Sequence, residues 1–446
     1  MSKQKSSLLV IWAAVLASAL AVGQLSAQGY EARRPSAIPR GKLRTSRHLG
    51  NDNDDLGRRR AQCEFDAGAS VEETLGITPE QRAAIPIDHI IILVQENRSF
   101  DHYFGRMPQY GRTDVDGIPP DYTNRTPSGD VASPSHAATT CIRPDTPHSW
   151  TATHNAWNQG AMDGFYIEAA AGGQDGQRAL SWYDETDLPF YYWLHSTYAM
   201  SDRFFCPVLG PTWPNRDYLY AATSDGVMNN TRPITVRNIF DALDAAGVSW
   251  GIYVDGTPRQ DCIGFSRSTP GVYDIATFFA DAAAGTLPQV VFIDGEGPLQ
   301  DEHPTNDIQK AEDWVRSVYL AVTSSPLWPT TAFFFTYDEG GGFFDHTPPP
   351  ATCPPTRDDQ TIRDFSQLGV RIPAVVISPY SKPGYVSHVA HETTSITRFI
   401  ELLFDLPALT ARDANVDALL DLFDFDNPAF LDPPPDPPAA GTGGCR

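Results

Sequence analysis

Two short apolar runs, each ending abruptly in side-chain oxygens, constrain the fold of this chain more than any other feature. The first is the β-branched run from Ile87 to Val94, which gives way to Gln95, Glu96, Asn97, Arg98, Ser99 and Asp101. Its length and composition suit a strand buried on both faces. The second runs from Thr331 to Tyr337 and ends in Asp338 and Glu339, followed by Gly340, Gly341 and Gly342. Three glycines let the backbone turn sharply and let another group approach closely. Ligands of open α/β sheets bind at the carboxyl ends of the strands. Two such ends, far apart in sequence, are what a divalent metal site built on a sheet requires.

Further apolar runs at Trp250–Val254, Gln289–Ile293 and Ile372–Ser378 alternate with helical patterns. Val236–Ala246, Asn306–Ser324 and His391–Leu406 have the helical spacing, and Leu188–Met200 reads as an aromatic core helix. This alternation predicts an α/β fold with a mainly parallel central sheet sandwiched by helices in three layers.

The N-terminal residues read as an export signal over 1–27, with Lys3 and Lys5 before the apolar Leu8–Val22 run. That places the mature protein outside the cytoplasm, secreted or periplasmic, with no transmembrane segment after the signal. Residues 28–84 read as an irregular lead-in with one short helix near Thr78–Ala84. Residues 85–432 form the expected catalytic domain, and 433–446 a disordered Pro/Gly-rich tail. The formal charge of −22 argues against a nucleic-acid partner. In an exported chain the six cysteines are expected to form disulfides, with the pairing open.

The candidate ligands Glu96, Asn97, Asp338 and Glu339 are all hard oxygen donors, which suits calcium, magnesium or manganese without choosing among them. Thr212 is the candidate nucleophile. It follows Gly210-Pro211 at an expected helix start, where backbone N–H groups favour a phosphate. Coordination to a metal would activate its hydroxyl. His148, His154 and His303 are candidates to bind the phosphoryl group or protonate the leaving oxygen. Asn215, Arg216, Asp101 and His346 are possible supports. Taken singly, Thr212 has a plainer reading as a helix cap, and Glu96 and Asn97 as turn residues.

Four blocks resemble the signature of the phosphoesterase family of bacterial phospholipases C, plant non-specific phospholipases C and related acid phosphatases. They are Glu96 to Asp101, Gly210 to Arg216, Glu302-His303-Pro304, and Asp338 to His346, in that order. The resemblance implies an alkaline phosphatase-like fold, with the metal on Glu96, Asn97, Asp338 and Glu339. It also implies Thr212 as the nucleophile of a phospho-enzyme, with His303 and one histidine of the 148–154 segment on the phosphoryl group; His154 is the expected one. The substrate implied is a phospholipid or a small phosphate ester, with a broad acid phosphatase as the alternative. A non-catalytic, metal-stabilised exported protein is the less favoured reading. Thr212-Trp213-Pro214-Asn215-Arg216 also has the spacing of a sulfatase formylglycine site, but threonine cannot be matured to formylglycine. The chain ends soon after the His391 helix, without the extra β-rich domains of larger bacterial members.

Overall fold

The computed structural model describes residues 55–356 and 363–445. The expected signal segment and the first half of the lead-in lie outside these residues.

The sheet has eight strands: β1 (His89–Gln95), β2 (Ala199–Ser201), β3 (Trp250–Val254), β4 (Val272–Asp274), β5 (Val290–Asp294), β6 (Thr331–Tyr337), β7 (Ala374–Ile377) and β8 (Val386–Ser387). Their order is β8-β2-β7-β6-β1-β5-β3-β4. All run parallel except β7, which is antiparallel to both β6 and β2. The two strands of the opening argument, β1 and β6, are central neighbours. β1 and β6 are buried almost throughout, as continuous apolar runs in a covered sheet should be.

Helices flank the sheet. In chain order they are α1 (Asp55–Ala61), α2 (Val71–Leu75), α3 (Pro79–Arg82), α4 (Phe100–Phe104), α5 (Trp150–Trp157), α6 (Phe165–Ala169) and α7 (Pro189–Thr197). Then follow α8 (Thr212–Ala221), α9 (Ile239–Ala246), α10 (Ile275–Ala284), α11 (Ile308–Thr323), α12 (Thr393–Phe404) and α13 (Ala411–Ala414). No helix among the described residues is long and apolar enough to cross a membrane.

The structure corrects several local expectations. The aromatic stretch Leu188–Met200 is not one helix: α7 stops at Thr197, and Ala199–Ser201 turns into an inner strand. Residues 55–84 contain three helices rather than one. Thr78 does start the expected last one, through a reciprocal capping box with Gln81. Arg60, in the lead-in, is buried and donates to the Thr74 carbonyl at 2.7 Å.

Cys63–Cys353 and Cys141–Cys445 are disulfides, while Cys206 and Cys262 are buried thiols. The first bond ties the N-terminal helices to the loop before β7. The second ties the tail to the loop before α5. The tail has no regular element, yet its backbone is held at several points. Arg316 donates to the Pro437 and Pro438 carbonyls, and Glu312 accepts from the Gly441 N–H at 3.0 Å.

Candidate active site

The register of β1 and β6 sets Gln95 beside Tyr337. The next residues, Glu96 and Asp338, therefore leave the sheet side by side. Asn97 adopts a left-handed conformation (φ 67°), which turns the chain and lets its N–H reach Asp338 Oδ1 at 3.0 Å. Gly341 (φ 61°) packs so close to Asn97 that a Cβ there would collide with the Asn97 carbonyl. This is the close approach for which the glycine run is needed.

α8 delivers a cation to this junction. Arg216 lies 3.5 Å from Glu96, 3.3 Å from Asp338 and 3.4 Å from Asp294, the last residue of β5. A second cation, Arg259, lies 2.9 Å from Glu96 and 2.8 Å from Asp301. Thr212 is one helical turn before Arg216, so the two share a face of α8. Thr212 is 6% exposed and is the first residue of the helix, with Pro211 in the N-cap position. The plain capping reading is therefore not what its hydroxyl does. Asn215 shapes the loop that presents it, accepting from the Val208 N–H at 3.0 Å and donating to the Gly210 carbonyl at 2.9 Å.

An open cleft of about 520 Å³ has Glu96, Thr212, Trp213, Arg259, Asp301 and His303 among its lining residues. His148 joins the site from the other side. Its Nε2 is 3.5 Å from Asn97 Nδ2 and 3.9 Å from Glu339 Oε1, and its ring centre is 5.5 Å from that of His303. Asp145 stands between the two histidines, 3.8 Å from His148 Nδ1 and 4.0 Å from His303 Nε2.

His154 was the expected histidine, and the geometry favours His148 instead. His154 Nδ1 is taken by the Trp150 carbonyl one turn earlier on α5, at 2.7 Å, and its ring packs on Trp150. Among the described residues it has no hydrogen bond or ion pair with the four candidate ligands. Asp101 and His346 form a separate network around buried Arg371. His346 Nδ1 is 2.7 Å from Asp101, and Arg371 reaches Asp101 at 3.0 Å and Asp345 at 2.9 Å. That trio of potential ligands is already satisfied by a guanidinium.

Burial favours the neutral form of Glu96, yet Arg259 and Arg216 hold its carboxyl below the usual range. Burial raises Asp338 despite Arg216, and it raises Glu339 far more, with Asp338 adding to the effect. Asp301 is pushed up to about 7 by burial and by Glu96. Five buried carboxylates (Glu96, Asp294, Asp301, Asp338 and Glu339) thus face two guanidiniums. Glu339 Oε1 and Asn97 Oδ1 are buried without a hydrogen-bond partner, and Glu96 Oε1 has only off-axis ion contacts with the arginines. Buried oxygens left in this state call for a cation or a donor. The excess negative charge and the all-oxygen donor set fit a hard divalent cation.

A family model described as the Phosphoesterase family matches residues 87–407. The chain belongs to this family. Non-specific phospholipase C5 of Arabidopsis thaliana is 31% identical over 389 residues, covering 76% of this chain and 74% of that protein. Phospholipase C B of Mycobacterium tuberculosis is 31% identical over 431 residues, covering 81% of this chain and 82% of that protein. Among solved structures, a protein in the alkaline phosphatase superfamily from Vibrio parahaemolyticus aligns with TM-score 0.42 and 8% identity, over 84% of this chain and 80% of that one.

Four residues of this site are not singled out by the sequence reading; one is Asp301, directly before the Glu302-His303-Pro304 block. Asp294 ends Val290-Val291-Phe292-Ile293, so it repeats the pattern of an apolar strand closed by an acid, and that signal was available. Arg259 lies in a short 3-10 turn, and Asp145 in a long Pro-rich loop. Nothing local marks either one.

Proposed function

We propose that this chain is an exported, metal-dependent phosphoric ester hydrolase of the phospholipase C type, with Thr212 as nucleophile. One observation carries the reading. Thr212 opens α8 on the wall of the cleft that also holds Glu96 and His303, while Arg216, one turn on, bridges Glu96 and Asp338. Family membership and the names of the relatives support the reaction class. The two disulfides fit an oxidising compartment outside the cytoplasm.

Glu96, Asn97, Asp338 and Glu339 would hold the cation. When bound, it would supply Lewis-acid polarisation of a phosphoryl oxygen and lower the pKa of a neighbouring hydroxyl. In the first step the Thr212 oxygen forms a bond to phosphorus while its proton passes to solvent in the cleft and the bond to the leaving oxygen breaks, giving a threonine phosphate ester that keeps any other substituent of the phosphate. The leaving oxygen takes its proton from an imidazolium. His303 would fill this role, a reading supported by its Nδ1 contact with the Pro304 carbonyl and by Nε2 lying 4.0 Å from Asp145. In the second step water attacks phosphorus, its proton going to the imidazole that the first step left neutral, and the phosphorus–Thr212 bond breaks as the Thr212 oxygen takes a proton from solvent. The N-terminus of α8 favours the charge that develops on the phosphoryl oxygens.

The substrate arm of the proposal is a phospholipid. Phosphatidylcholine and p-nitrophenyl phosphate assayed side by side test it. Release of diacylglycerol and phosphocholine is the expected result. Turnover of the monoester alone would make the chain a phosphatase with the same site. Turnover of neither would defeat the reading.

A further inference from the structure

We infer that Glu302 is a positioning residue, whose buried carboxylate, gripped by Tyr103, Tyr191 and Tyr337, fixes where His303 stands against the phosphate-handling cluster. What His303 does rests on the phosphoesterase reading above; where it stands does not.

Glu302 is fully buried, yet every donor to its carboxylate is a phenol. Oε2 accepts from the hydroxyls of Tyr103 at 2.6 Å and Tyr337 at 2.9 Å, and Oε1 accepts from the hydroxyl of Tyr191. Its backbone carbonyl is held as well, by Nε of Arg98 at 3.0 Å and by the other arm of the same guanidinium. The residue is therefore clamped at both its side chain and its backbone.

The partners come from four separate elements. Tyr337 is the last residue of β6, directly before Asp338. Arg98 directly follows Asn97, Tyr103 lies on α4, and Tyr191 lies on α7. One residue thus joins the ends of both ligand-bearing strands to the loop carrying Asp301 and His303, through its carboxylate to Tyr337 and through its carbonyl to Arg98. That loop has further ties, among them the Arg259–Asp301 ion pair at 2.8 Å and the bond from Gln95 Nε2 to the Gln300 carbonyl at 2.7 Å, but neither holds the residue next to His303 by both its side chain and its backbone. A buried carboxylate is costly, and an apolar side chain of similar volume would serve packing alone as well or better. A network in which every partner is satisfied does something packing cannot: it specifies one position. His303 is the next residue, so its imidazole inherits that position.

The test uses the full chain with Glu302→Gln and, separately, the double variant Tyr103→Phe/Tyr337→Phe. An amide is isosteric but cannot accept all three phenols without leaving its own N–H groups unpaired. The expected result is a folded protein whose kcat on p-nitrophenyl phosphate falls about 10- to 100-fold, as for outer-shell residues that orient a site. KM should stay within roughly threefold. The ring-nitrogen NMR signals of His303, assigned against His303→Gln, should move in both variants. His303 signals that stay in place in the folded variant overturn the proposal, and so do moved signals with wild-type kcat. If Glu302→Gln does not fold, the tyrosine double variant is read by the same criteria. Absence of wild-type turnover of p-nitrophenyl phosphate and phosphatidylcholine alike would defeat the reaction reading alone, because the NMR signals report the position of His303 without turnover.

Discussion

Asn97 donates its backbone N–H to Asp338 Oδ1 at 3.0 Å across 241 positions of sequence. That bond closes the junction between the ends of β1 and β6, and it explains why an asparagine with positive φ follows the opening strand. Other site residues meet this pair directly: Arg216 lies 3.3 Å from Asp338, Glu339 donates its N–H to the same Oδ1 at 2.7 Å, and His148 Nε2 is 3.5 Å from Asn97 Nδ2.

The histidine assignment follows from that arrangement. His148→Ala is expected to lower kcat on a phosphate ester by about 10²-fold or more, the usual contribution of a positioned acid–base group. His154→Ala is expected to stay close to wild type, because its ring serves α5. Steady-state kinetics of the two variants decide this, and a larger loss at His154 would contradict the placement.

Chelation is expected to abolish turnover, and calcium, magnesium or manganese to restore it. Glu339→Gln should weaken metal binding by more than the roughly 10- to 100-fold typical of an outer-shell residue. Calorimetric titration of the apo-protein with each metal measures this. Undiminished turnover in chelator would remove the cation from the account.

How much of this was legible in the sequence depended on how local each signal was. An apolar strand closed by acids is a local pattern, so β1, β6, Glu96 and Asp338 could be read directly. Asp294 carries the same pattern, but it is a single acid one residue beyond the apolar run Gln289–Ile293, a weaker signal than the paired polar residues after β1 and β6. Whether Leu188–Met200 was helix or strand was decided by the sheet, since Ala199–Ser201 is taken up as a strand between β7 and β8. The choice between His148 and His154 depends on which ring faces Glu339, and spacing along one segment does not encode that. α10 was missed because its alanine-rich run has few polar positions to mark a face.

Away from the cleft, His391 is a pH probe. It is buried between Asp417 at 2.8 Å and Asp421 at 3.2 Å. Burial opposes its charge, but the two aspartates hold its pKa well above the ordinary histidine value. A folded pKa above the unfolded one means the stabilisation is complete below about pH 6.5 and fades as pH rises through the folded value. His391→Gln should therefore cost about 3 kcal/mol near neutral pH, the range for breaking a buried pair. The gap to wild type should narrow in alkaline buffer. Denaturant melts from pH 6 to about 10 check this; a gap that widens with pH would contradict it.

The Cys63–Cys353 bond closes a loop with a sequence separation of 290. Replacing both cysteines by serine should lower stability by about 2–5 kcal/mol while leaving kcat near wild type, because neither residue lines the cleft. Thermal melts and kinetics of that variant measure the two effects separately.

The central claim is that the Thr212 oxygen carries the phosphoryl group between the two steps. The direct measurement is acid quenching during turnover of a phosphate ester, followed by peptide mass spectrometry, with Thr212→Ala alongside. The account predicts one phosphorylated peptide, the one containing Thr212, and neither phosphopeptide nor turnover in the variant. Phosphate on another residue, or continued turnover by Thr212→Ala, would contradict it.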